Sequence, residues 1–149
     1  YILGEHGDTE FAVWSKAMIG GVLFKEYCSV CASRRTCRHE TEFAAIFNEV
    51  RSSAYQIIER KGETSYGIGL AMVRITQAIL NDENAILPVS SLIEGYLGVS
   101  DVYLSLPCVV NRSGVRQAMT IELDPAEQEA FRRSADAVKN VIKQTGLVV

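Results

Sequence analysis

The chain has 149 residues, 48% of them hydrophobic and 22% charged, which is enough apolar material for the core of one domain. Its formal charge is −3, with 15 basic residues dispersed among 18 acidic ones, so no basic patch offers nucleic acid an electrostatic footprint. No segment has the sections of a signal peptide and no apolar run reaches the length of a membrane helix, so the expectation is a soluble cytoplasmic protein without a membrane partner.

In chain order, Tyr1-Ile2-Leu3 is strand-like and lacks a methionine, and the expectation is a start inside a longer protein. The turn Gly4-Glu5-His6-Gly7-Asp8-Thr9-Glu10-Phe11 follows, with one of the two histidines set between glycines. Imidazole titrates near neutral pH, so a histidine held by a tight turn at the lip of a cleft suits proton transfer to or from a substrate oxygen. The same residues also describe a histidine that merely closes a surface turn. Residues 27 to 40 then form a compositional island holding three of the four cysteines. Cys28, Cys31, Cys37 and His39 are the ligand types of a closed zinc site, but their spacing is not a paired-knuckle pattern. The expected reading is a loop of reduced thiols without metal.

Thr41 to Lys61 carries Phe43, Ile46, Phe47, Val50, Ala54, Ile57 and Ile58 at the spacing of an amphipathic helix, which Gly62 ends. Thr64 reads as the N-cap of a second helix, about Ser65 to Leu80, which has few polar positions and should be buried on most sides. After the break at Asn81-Asp82-Glu83-Asn84, Ile86 to Ile93 and Val102 to Val110 read as strands separated by Gly95 and Gly98, with Cys108 as a small core residue. Asn111-Arg112-Ser113-Gly114 is the next turn, and Met119, Ile121 and Leu123 alternate with Thr120 and Glu122 as a further strand. Asp124 then caps a helix with Pro125 at its first position, a stripe of Phe131, Ala135, Val138 and Ile142, and a stop at Gly146. The fold class is α+β: an antiparallel sheet meander packed against long helices, in one domain over residues 1–149.

The histidine turn continues through Ala12-Val13-Trp14-Ser15 to Ile19-Gly20-Gly21-Val22, and this run resembles the histidine segment of L-lactate dehydrogenases. Lys61-Gly62-Glu63-Thr64-Ser65-Tyr66-Gly67-Ile68-Gly69 resembles that family's entry to its substrate-pocket helix. Leu104-Ser105-Leu106-Pro107-Cys108-Val109-Val110 with Gly114-Val115 resembles its late hairpin. What the chain resembles is the second half of such an enzyme, the C-terminal catalytic domain of the lactate/malate dehydrogenase type.

The resemblance implies hydride transfer between NAD and a 2-oxo or 2-hydroxy acid, interconverting pyruvate and L-lactate. It implies that His6 transfers the proton, that Thr64 lines the substrate, and that Ile68 packs on the nicotinamide. The chain has no Gly-x-Gly-x-x-Gly after a strand, so NAD is expected to be held mainly by an N-terminal nucleotide-binding half that this sequence lacks. The family's substrate-clamping arginine and the carboxylate that orients its histidine also lie before the histidine motif, so the chain by itself is expected to be inactive. Asp8 is read as structural, and Trp14, placed in a strand, as a packing or subunit contact. The implied partners are pyruvate or L-lactate, the nucleotide-binding half, and further copies in a homo-oligomer. Glu5 and the run from Glu10 to Ser15 favour lactate over malate, with a malate or other L-2-hydroxyacid dehydrogenase domain as the alternative within the class. A zinc-stabilised interaction module is the alternative outside it. Elemental analysis is expected to find no stoichiometric zinc and four free thiols under reducing conditions. About one zinc per chain, lost together with helical structure on chelation, would instead favour the interaction module.

Overall fold

The computed structural model describes residues 1–27 and 39–146. Its central element is an antiparallel meander of β5 (Ala85–Tyr96), β6 (Val99–Asn111) and β7 (Gly114–Ala118), which follows four short strands. Those are β1 (Ile2–Leu3) paired with β2 (Phe11–Ala12), and β3 (Met18–Ile19) paired with β4 (Val22–Leu23). A 3₁₀ turn at Trp14–Lys16 separates the two pairs. The helices are α1 (Phe24–Tyr27), α2 (His39–Lys61), α3 (Tyr66–Leu80) and α4 (Pro125–Gln144). The α+β meander expected from the sequence is therefore present.

The pairing of β5 with β6 runs from Ala85 opposite Val110 to Ile93 opposite Val102 and closes at Tyr96 opposite Val99. The two residues between, Leu97 and Gly98, have φ of 54° and 78°, the signs of a type I′ hairpin turn that suits the twist of the strands. On β6 the side chains of Val102, Leu104, Leu106, Cys108 and Val110 all face the core, the period-two register of a strand with one covered face. Cys108 is wholly buried there, as a small core residue should be.

α4 covers that face. Phe131 is fully buried and meets the rings of Phe11 and Tyr96 edge-on, with centroids 6.5 and 5.1 Å apart. Ala135 is buried beside it and Val138 partly so, as the stripe predicted. The helix starts on a complete capping box: the Asp124 carboxylate accepts from the Glu127 N–H at 2.9 Å, and Glu127 accepts from the Asp124 N–H at 3.0 Å. The Glu127 carboxylate also accepts from the N–H and hydroxyl of Ser15, so the start of α4 is bonded to the segment after β2.

Three expectations need correction. Met119 to Leu123 is not a strand. β7 ends at Ala118: the Met119 N–H makes one more bond to β6, donating to the Pro107 carbonyl at 2.8 Å, and beyond it the chain is no longer a strand, with the Tyr96 hydroxyl donating to the Ile121 carbonyl. The alternation of apolar residues there reflects contact with the core, where Leu123 is buried, and not strand pairing. Thr64 is not the N-cap of α3. The helix begins one residue later, Ser65 takes the cap position without a side-chain cap bond, and its hydroxyl donates to Glu63 at 3.0 Å.

The third correction concerns burial. Among the described residues α3 is not covered on most sides: Ala78 in its last turn is buried, while Leu70 and Leu80 are 73% and 70% exposed. Likewise Ile46, Val50, Ile57 and Ile58 of α2 stand exposed; the helix starts at His39, two residues before the expected Thr41, and stops as expected at Gly62, which is in the left-handed region. Periodicity reports which face is apolar but not whether this chain provides the cover.

Replacing Asp124 by Ala removes one side of the capping box. Urea unfolding should show a loss of about 1 kcal/mol.

Candidate active site

The histidine turn is the loop of the β1–β2 hairpin, and its two ends are sunk in the core through Leu3, Phe11 and Val13. Gly4 pairs with β6: the Ser105 N–H donates to the Gly4 carbonyl at 2.8 Å, and the Gly4 N–H donates to the Ser105 carbonyl at 3.3 Å. Gly4 has φ +98°, and a Cβ at that position would lie 2.6 Å from the Ser134 Oγ, so both backbone and space require glycine. Within the loop the Glu5 carboxylate accepts from the N–H and hydroxyl of Thr9 at 3.0 and 2.8 Å. The Glu5 N–H donates to the Ser134 hydroxyl of α4 at 2.7 Å. His6 follows Glu5 directly and its side chain is exposed. The turn therefore has a fixed backbone and an open imidazole.

Asp8 accepts a hydrogen bond from the Tyr55 hydroxyl at 2.9 Å, which ties the turn to α2. That bond, reinforced by the Asp8 charge, holds the Tyr55 hydroxyl above its ordinary range of ionisation. Glu10 lies near His6 and Arg51, whose charges favour its ionised form, yet burial outweighs them and pushes its carboxyl up. Trp14 is not in a strand but opens the 3₁₀ turn, where its ring stacks on Phe43 of α2 at 4.2 Å with the planes 8° apart. Its role is packing, in line with the sequence reading.

Thr64 and Ile68 sit at the corner where α2 passes into α3, and both are exposed, Ile68 by 53%. Among the described residues, no hydrogen bond links either of them to His6, and the Tyr55–Asp8 bond joins their helix pair to the turn. Cys28, Cys31 and Cys37 lie outside the described residues, as does the side chain of His39. Among the described residues no group of three or more His, Cys, Asp or Glu side chains could hold a metal, and no helix is long and apolar enough to cross a membrane. The sequence reading did not single out Arg51, Tyr55 or Ser134, and used Glu10 only within the run that favours lactate over malate. Nothing in their spacing marks them, since their neighbours are brought together only by the hairpin, α2 and α4.

Residues 1–147 match the family model of the lactate/malate dehydrogenase alpha/beta C-terminal domain. The chain belongs to that family. It is 48% identical to the L-lactate dehydrogenase of Priestia megaterium over 145 residues, which are 97% of this chain and 43% of that protein. It is also 48% identical to L-lactate dehydrogenase 1 of Enterococcus faecalis, over 96% of this chain and 42% of that one. The crystal structure of the minor L-lactate dehydrogenase of Enterococcus mundtii in its ligands-bound form superposes with a TM-score of 0.87 at 40% identity, covering 97% of this chain and 45% of that one. The chain thus spans less than half the length of these lactate dehydrogenases.

Because burial raises the Glu10 carboxyl above its unfolded value, its protonated form is favoured in the folded state. The stability linked to it is fully present at acid pH, below the unfolded pKa, and is lost as pH rises through the folded one. Glu10→Gln should therefore match the wild type below about pH 4 and have the higher urea midpoint at about pH 7.

Proposed function

We propose that this chain is the C-terminal catalytic domain of a cytoplasmic, NAD-dependent L-lactate dehydrogenase that interconverts pyruvate and L-lactate. The observation that carries this reading is the His6 turn, an exposed imidazole on a backbone bonded to β6 and α4. Bound nicotinamide supplies the hydride chemistry at C2 of the substrate. Protonated His6 polarises the pyruvate carbonyl and donates its proton to the oxygen as negative charge develops there. In the direction of lactate oxidation, neutral His6 takes up the hydroxyl proton. Thr64 lines the substrate, and Ile68, with an apolar side chain already open at the start of α3, fits a place against the nicotinamide face. The residues present thus fit one end of the cofactor, while its phosphates call for the glycine-rich turn of a nucleotide-binding half. That half and neighbouring copies of the enzyme are the cover for the apolar faces of α2 and α3.

The test is substitution of His6 by Asn in the full-length enzyme. The expected result is a fall in kcat of about 10²- to 10⁴-fold with NADH affinity nearly unchanged, because only proton transfer is removed. Turnover near that of the wild type would take His6 out of the mechanism. The 149-residue chain alone is expected to reduce no pyruvate.

A further inference from the structure

The reaction proposed above requires the His6 imidazole to be held in one place, yet His6 is exposed and must be aimed through its backbone. The residue before it is bonded out of the hairpin altogether: the Glu5 N–H donates to the Ser134 hydroxyl, 129 positions away in sequence, at 2.7 Å. Ser134 is wholly buried in α4, between Phe131 and Ala135 of the core stripe. A buried hydroxyl needs hydrogen-bond partners, and this one has both of its recorded partners in the turn, since the Thr9 hydroxyl also lies 3.2 Å from it. The Thr9 hydroxyl has a single proton, and its 2.8 Å contact with the Glu5 carboxylate is the stronger acceptor for it, so the Ser134 proton is the one placed between Ser134 and Thr9. Ser134 then bridges both flanks of His6, receiving from Glu5 and donating to Thr9. The approach depends on Gly4, where any side chain would strike the Ser134 Oγ at 2.6 Å.

We propose that Ser134 is a positioning residue for the dehydrogenase reaction, fixing the direction of His6 from the far side of the turn through Glu5 and Thr9. The inference rests on the proposed function for its kinetic consequence, but its geometric content stands apart from it. α4 is a rigid mount, capped at Asp124 and locked by Phe131, so the position of Ser134 is imposed by the core and passed to the turn. Loss of the hydroxyl leaves the Glu5 N–H without its acceptor and frees the residue bonded directly to His6.

The experiment uses the full-length protein with Ser134→Ala and, to retain side-chain volume with a poor acceptor, Ser134→Cys. Turnover is referred to the concentration of NADH-binding sites, so that unfolded enzyme does not count. Both variants should show kcat for pyruvate reduction lowered about ten- to a hundredfold, the size of effect a small misplacement of a catalytic group produces. The pyruvate KM and NADH affinity should change by less than about threefold. In parallel, the His6 ring resonances, assigned by their loss in His6→Asn, and the exchange rate of the Glu5 amide should both change on Ser134→Ala. A merely structural serine would lower the melting temperature while leaving kcat per site within about twofold of the wild type, and that result overturns the proposal. Unaltered His6 and Glu5 signals also overturn it. If the unsubstituted full-length protein reduces no pyruvate, the functional reading falls, and the resonance and exchange measurements decide the positioning role on their own.

Discussion

Val102, Leu104, Leu106, Cys108 and Val110 line one face of β6, and α4 lies over them with Phe131 and Ala135. This contact determines where everything else can be. From its polar edge the same strand offers the backbone of Ser105 to Gly4, and from its buried face the same helix offers Ser134 to Glu5. The core and the His6 turn are therefore not separate structures joined by a linker: the two elements that exclude water also hold the turn. Truncating Phe131 would remove an aromatic side chain from this layer at a cost of about 3–5 kcal/mol, and would loosen the mount of Ser134 at the same time.

The other flank of the site is built differently. Among the described residues, α2 meets this flank through side chains: Phe43 stacks on Trp14 just after the hairpin, and Tyr55 donates to Asp8 of the turn in a bond that lies on the surface. Beyond them, α2 and α3 present apolar residues to solvent, including the first turn of α3 where Ile68 stands. One side of the turn is thus packed to the density of a protein interior, while the other ends in apolar surface. In the proposed enzyme this asymmetry has a use. The proton donor has to be fixed, and the wall across from it has to accept a cofactor and a second domain.

The carboxyl of Glu10 is under opposing influences. Glu10 feels the favourable positive charges of His6 and Arg51, but burial is the larger influence and drives its carboxyl upward. Asp8 is committed to Tyr55, and Glu5 to Thr9, so two of the three carboxylates of the turn have structural partners. Glu10 is the one whose ionisation the fold opposes.

Much of this architecture could be read from local residue patterns, because the forces involved act over a few residues. The capping box at Asp124 and Glu127, the glycine stop at Gly62, the hairpin glycines and the alternation along β6 are all consequences of backbone geometry near the residue concerned. The turn around His6 was legible for the same reason, since the glycines on either side of it mark a tight turn, and Gly4 has a positive φ. Longer-range facts left no such trace. Met119 to Leu123 alternates like a strand, yet whether it pairs depends on what lies beside it, here the Pro107 carbonyl of β6 and the Tyr96 hydroxyl. The helix of Tyr66–Leu80 has few polar positions, yet how much of it is covered depends on which elements come near, and among the described residues the buried one is Ala78 in its last turn. Ser134 has no mark in the sequence at all, since a serine in a helix acquires its meaning only when α4, packed over β6, brings it under Gly4 and Glu5.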